Sequence, residues 1–264
     1  MMIGKAGAAV TSISTADADR ITVRGRDLTS DLMGRVSFTE YFYLLVTGRE
    51  PTENQRFFLD LLLVAIAEHG LVPTNQVARM THAADPEFLQ GAVAAGLLGC
   101  GSVILGTSQL CGDYLVEARE RCEREGLKAG EVAALMVREA RESGKRIPGF
   151  GHPIHKPKDP RAQRILALAD ARGAAGFHTE LARAIEAAVD EIWPKPLPMN
   201  VSMMIAAVLL DLDFPAPVLK GIPILARTAS LLAHLAEEAE RPIGFLMAHH
   251  AEEAISYEPS EEGR

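Results

Sequence analysis

Residues 148–162 read Pro-Gly-Phe-Gly-His-Pro-Ile-His-Lys-Pro-Lys-Asp-Pro-Arg-Ala, and this stretch orders the reading of the rest of the chain. It places four prolines, two glycines and two histidines in one connector. Asp159 before Pro160 is the signature of an N-cap followed by the first helical residue, so a helix is predicted from 160. Arg161 then falls in the first turn, where the helix dipole, free N–H groups and its guanidinium all favour a carboxylate. His152 precedes a proline, which pushes its backbone to extended conformations. Gly149 and Gly151 permit geometries that other residues resist. Together they predict an imidazole presented in a fixed direction. Lys145, Arg146, Lys156, Lys158, Arg161 and Arg164 stand here against a single acid, Asp159, in a chain of formal net charge −8. That local reversal suits a small anion. No metal is expected from His152 and His155, because no cysteine or carboxylate stands at ligand spacing beside them and the proline prevents a helical pair.

Working outward, helical periodicity dominates, and the predicted class is mostly α. Phe38 to Thr47 carries an apolar stripe that stops at Gly48. Thr52 opens a second helix, with Phe57, Phe58, Leu61, Leu62 and Ala65 on one face and Gly70 closing it. Further helices are predicted over 74–82, 86–98, 107–124, 130–143, 160–172, 175–192, 200–211 and 217–238. Short strands are expected at Val10–Ile13 and Ile21–Val23. The 264 residues are 48% hydrophobic but only 5% aromatic, a core of Ala, Leu, Val and Ile that suits packed helices. The pattern predicts one unit over 1–264, without an interdomain tether.

The acidic balance argues against a nucleic-acid partner, which needs a basic face. Phe88 to Gly112 holds no charged residue. Its six glycines and five polar residues nevertheless predict a buried helix–turn region with close backbone packing, not a membrane span. Three cysteines without a C-x-x-C pair fit reduced thiols and a cytoplasmic protein. Met1–Arg20 lacks a sustained apolar run, so no secretory signal is expected, and the acidic tail after Tyr257 is expected to fray. In the late helix Arg227 sits among Ala226, Ala229, Ser230 and Ala233. Burying a guanidinium is costly unless an anion meets it, so either an internal acid or a ligand carboxylate is expected there.

Pro148–Arg161 resembles the Gly-His loop of citrate synthases. Ile21-Thr-Val-Arg-Gly-Arg-Asp-Leu28, Val36–Gly48, Leu197-Pro-Met-Asn-Val-Ser202 and Ile224-Leu-Ala-Arg-Thr-Ala229 are similar to other segments of that family, in the same order. The short length and the Gly-rich 96–107 segment look closest to citryl-CoA lyase and the C-terminal part of ATP-citrate lyase. The resemblance implies an almost all-α fold with a large and a small domain, the smaller near 110–212, and a homodimer or higher homo-oligomer. It implies a CoA thioester as substrate or product beside a small carboxylate. His152 would hydrogen-bond the oxygen at the carbon undergoing the aldol reaction. Arg161 and Arg227 would bind carboxylates, and Lys156 and Gly151 would meet CoA.

Three departures stand out. Ser202 occupies the place of the family's proton-moving aspartate, and a hydroxyl's pKa is too high for an unaided base. Ile104 stands where citrate synthases carry a second histidine, which the cleaving branch also lacks. The C-terminal arginine has no match beyond His249 or His250. Pro153 also replaces a common arginine. The expected function is a citryl-CoA lyase-like or citrate synthase-like enzyme, with Asp113, His155 or water moving the proton, or a malonyl-type thioester supplying its carbanion by decarboxylation. The alternative is an altered family member that acts on another acyl-CoA or only binds its ligand.

Overall fold

The computed structural model describes residues 9–259. Part of the tail beyond Tyr257, and the first eight residues of the stretch read for a signal, lie outside the described residues. The chain divides into two compact units, 1–60 and 61–264.

The first unit begins with three short antiparallel strands, β1 (Ser14–Ala16), β2 (Ile21–Val23) and β3 (Arg26–Asp27), in sheet order β1-β2-β3. Ser14 pairs with Val23 and Ala16 with Ile21, while Val23 pairs with Arg26 across a two-residue turn. Arg24 and Gly25 both take positive φ there, as a primed hairpin turn requires. The first strand is therefore Ser14–Ala16, not the expected Val10–Ile13. Its register is set by pairing with β2, and its side chains are all exposed, so hydrophobicity carried no signal. A single π-turn at Leu28–Leu32 leads to α1 (Phe38–Thr47), which opens on a Ser37–Glu40 capping box and closes on Gly48. Val23, Leu32 and Leu44 form one buried cluster in this unit.

α2 (Glu53–Ala67) carries the boundary between the units within its length. Beyond it lie α3 (Pro73–Ala84), α4 (Leu89–Leu98), α5 (Thr107–Glu125), α6 (Ala129–Glu142), α7 (Pro160–Ala171), α8 (Phe177–Ile192), α9 (Val201–Asp211), α10 (Gly221–Glu240) and α11 (Gly244–Ala254). The fold is mostly α, as predicted, but α11 was not expected. The charge-free run at 88–112 is α4, an irregular 99–106 segment and the start of α5. Gly96 lets α4 approach closely: a Cβ there would lie 2.8 Å from Leu231 and 2.9 Å from the Thr74 carbonyl.

In the second unit α3, α4, α10 and α11 pack together, and α5 to α9 form another packed set. Ala216–Glu240 is long and apolar enough to cross a membrane by length and composition. In this fold it carries the buried Arg227 and Glu238 and packs on α3 and α4. α9 is apolar on nearly every side, and seven of its residues from Met203 to Leu209 are buried against α5, α7 and α8.

The last residue of α9, Asp211, caps α8. Its carboxylate accepts from Gly176 N and His178 N at 2.8 Å, from Thr179 N at 2.9 Å, and meets His178 Nδ1 at 2.9 Å. Burial alone would raise this carboxyl, but the bonds from His178 and Thr179 outweigh it and hold the pKa below the ordinary 3.8. Asp211→Ala should cost about 0.5–2 kcal/mol, the range for losing an N-cap. The wild-type contribution is complete above the unfolded carboxyl's pKa and is lost as pH falls through the lower folded value. Denaturant titration across acidic pH should therefore show the gap between wild type and variant closing as pH falls.

Candidate active site

Gly149 and Gly151 both adopt positive φ, +79° and +87°, bracketing Phe150. A Cβ on Gly149 would sit 2.8 Å from both Cys111 Sγ and Met203 Cβ, so the turn can press onto α5 and α9 only as glycine. The turn is sewn to the segment before α9. Phe150 bridges Met199, Gly151 N donates to the Pro198 carbonyl, and Asn200 N donates to the Gly149 carbonyl, the last two at 2.8 Å. Asn200 Nδ2 also donates to the Gly151 carbonyl at 3.0 Å, while its Oδ1 accepts from Ser202 N. Asn200 is thus both the cap of α9 and the clasp on the loop. Gly151 serves this clasp with both its N–H and its carbonyl.

His152 leaves the loop with its ring orientation fixed. Nδ1 accepts from Ile154 N at 3.1 Å and from His155 N at 2.9 Å. With its Nδ1 lone pair so used, the neutral ring carries its proton on Nε2. Burial first, then His155, hold its pKa below the usual histidine range, which keeps it neutral near pH 7. Arg161 Nη2 lies 3.4 Å from that Nε2. Both groups are donors, so they face a shared space that an acceptor oxygen can fill.

Asp159 is wholly buried and supplies the anion that was expected at the start of α7. It accepts from Arg161 N, Nε and Nη2 at 3.0, 3.1 and 2.9 Å, and from Val201 N at 3.1 Å. Burial would raise its pKa, but the Arg161 bonds and charge keep it lowered. Asp159 caps α7, as expected, and it also holds the guanidinium, so a ligand meets Arg161 as one half of an ion pair.

Arg227 is 2% exposed. Nη1 donates to Asn75 Oδ1 at 2.6 Å and to Ser230 Oγ at 3.3 Å, and Nε is buried without a hydrogen-bond partner. Glu68, an acid whose charge acts on Arg227, accepts instead from Ser230 at 2.6 Å and meets His234 at 3.0 Å. Burial lowers the Arg227 pKa, with Glu68 opposing. Of the two expected partners, no carboxylate among the described residues bonds it directly.

A cavity of about 930 Å³ opens beside the loop. Arg146, Phe150, His152, Trp193 and Asn200 line it together with Asp113, which accepts from Gln109 Nε2 at 2.9 Å. The Tyr114 hydroxyl, on the same wall, is buried without a hydrogen-bond partner, and burial raises its pKa. Lys156 is exposed and does not line the cavity. Ser202 is half-buried in the first turn of α9. His249 and His250 are exposed on α11 and pair with Glu253.

The residue that sequence reasoning missed is His69, just past the end of α2. Its Nε2 lies 3.1 Å from His155 Nε2, and its ring stands edge-on to His152 with centroids 5.3 Å apart. Its one signal was a histidine placed before the helix-closing Gly70. Ring nitrogens of His69, His152 and His155 fall within 4.8 Å of one another, a spacing that suggests a metal site. His152, with Nδ1 bonded to backbone donors and Nε2 protonated, has no lone pair left for an ion.

This mostly helical protein, with its glycine-bracketed histidine turn and two arginines on separate helices, is citrate-synthase-like in fold. The chain belongs to the citrate synthase family: the family's C-terminal domain matches residues 50–244. It is 28% identical over 239 residues to the citrate synthase of Synechocystis sp., covering 86% of this chain and 57% of that one. The chain spans about half the length of the curated relatives it matches. Citryl-CoA lyase from Hydrogenobacter thermophilus superposes with a TM-score of 0.83 at 28% identity, covering 96% of this chain and 95% of that one. ATP citrate lyase from Methanothrix soehngenii, solved with citrate and coenzyme A, shares the fold at a TM-score of 0.74 and 24% identity, covering 98% of this chain and 43% of that one.

Proposed function

We propose that this chain makes or breaks a carbon–carbon bond beside the CoA thioester of a di- or tricarboxylate, as a citryl-CoA lyase-like or citrate synthase-like enzyme. The carrying observation is the 3.4 Å approach of Arg161 Nη2 to His152 Nε2, which puts two N–H donors within reach of one oxygen. An oxygen placed there is polarised in a half-buried setting, where such donors gain strength. Arg227, buried with no bonded carboxylate among the described residues, takes a substrate carboxylate. The cavity beside Phe150 and Trp193 receives the thioester, with Gly151 on its wall, while Lys156, exposed outside the cavity, meets the CoA phosphates. No resident metal takes part in this reading. The packing of α5 to α9 on one another supports a smaller subdomain near 110–212. Three free buried thiols support a reducing, cytoplasmic setting, and family membership supports a homo-oligomer.

A second reading, an altered member that binds its ligand or takes another acyl-CoA, draws on Ser202. Losing a positioned general base costs about 10²–10⁴-fold in rate. The test is thiol release from citryl-CoA, and thioester loss with oxaloacetate plus acetyl-CoA, beside Ser202→Asp. We expect the wild type to turn over. Ligand binding without turnover, together with an active Ser202→Asp variant, would select the second reading.

A further inference from the structure

The fold gathers at the loop one group whose chemistry the preceding reading leaves unused. His155 stacks on His152 with ring centroids 4.3 Å apart, and its Nε2 meets His69 Nε2 at 3.1 Å. Two imidazole nitrogens at that distance hold one proton between them: one ring donates, the other accepts. Each neutral ring has one N–H and one lone pair, so the arrangement leaves one outer Nδ1 of the two rings with a free lone pair. His152 cannot serve in this way, because its only lone pair binds two backbone N–H groups. Ser202 cannot either, because its hydroxyl is too weak a base.

We propose that His155 and His69 act as a proton-sharing dyad that performs the proton transfer at the α-carbon of the thioester. This rests on the CoA-thioester reading of the site. In the step, the Cα–H bond breaks and its electron pair remains on the substrate as the thioester enolate. The proton enters at the free outer Nδ1, and the proton held between the two Nε2 atoms shifts to the other ring. The dyad carries the resulting positive charge until the proton returns to carbon or is exchanged with solvent.

The groups around His69 favour its neutral, proton-accepting form. Burial first, then Arg161 and His155, lower the pKa of His69; Arg227 also lowers it and Asp159 opposes. Glu68, adjacent in sequence, is bonded to Ser230 and His234. Exchange should rise with pH as His69 loses its proton and then level off.

The experiment follows exchange of the acetyl-CoA methyl protons with deuterated solvent by NMR or mass spectrometry. Binding of acetyl-CoA is measured in parallel by calorimetry, which also reports that each variant is folded. The wild type is expected to bind and exchange. His155→Ala and the gentler His155→Gln should bind while exchanging about 10²–10⁴-fold more slowly. His69→Gln should show a comparable loss. Binding with wild-type exchange in both His155 variants would overturn the proposal, as would loss of exchange in Asp113→Asn alone. Binding without exchange in the wild type would overturn the dyad and leave the ligand class standing. No binding at all would remove the ligand class and the dyad together.

Discussion

Arg79→Ala should lower the unfolding free energy by about 3–5 kcal/mol, the range for breaking a buried ion pair on one side. Arg79 and Glu238 are each 2% exposed, and their Nη1 and Oε2 atoms are 2.9 Å apart. Arg79 also donates through Nε to His234 Nδ1 at 3.0 Å and through Nη2 to Glu237. Glu238 Oε1 accepts from Ile243 N and Gly244 N at 2.8 and 2.7 Å, where the chain turns into α11. Removing the arginine leaves the Glu238 carboxylate buried with only those two N–H groups, and opens a void where the guanidinium stem packed. The double variant Arg79→Met/Glu238→Gln should recover part of the loss, because no charge is then stranded. Equilibrium denaturation of the three proteins checks both statements. A single variant within about 1 kcal/mol of wild type would show that the pair does not hold α3, α10 and α11 together.

His152→Ala should reduce kcat/KM by about 10²–10³-fold in citryl-CoA thiol release, the effect of removing one preorganised donor to a developing oxyanion. The same change frees the N–H groups of Ile154 and His155, so a purely conformational effect has to be separated from a chemical one. His152→Asn does this: its side-chain oxygen can still accept from those N–H groups, but it cannot place a donor where Nε2 stood. Equal losses in both variants, with ligand binding kept, would locate the effect in the donor. Recovery in His152→Asn would locate it in the turn. Because the pKa of His152 is held down, its donor tautomer persists above neutrality, and its contribution should not fade from pH 7 to 8.

Much of this was readable in advance, for physical reasons that differ from element to element. The helices announced themselves through periodicity and termini, such as Ser37 with Glu40, Gly48, and Asp159 before Pro160. α11 escaped because Phe245 and Leu246 are exposed, so its apolar residues trace no buried stripe. The strand at 14–16 escaped because its place depends on hydrogen-bond register and not on side chains. At the site, the oriented histidine and the buried Arg227 followed from local chemistry. The full engagement of Asp159 did not, since Val201 is 42 residues away. His69 was hidden for the same reason, being 86 residues from His155.

Asn200 has a mechanical consequence. Its backbone N–H, its amide and its side-chain oxygen hold Gly149, Gly151 and Ser202 at once. The histidine turn and the first turn of α9 therefore form one rigid bracket. Any rearrangement that admits or releases a ligand must carry residues 149–152 and 200–202 together, hinging outside them. The ring at 152 and the hydroxyl at 202 thus ride on one hydrogen-bonded bracket.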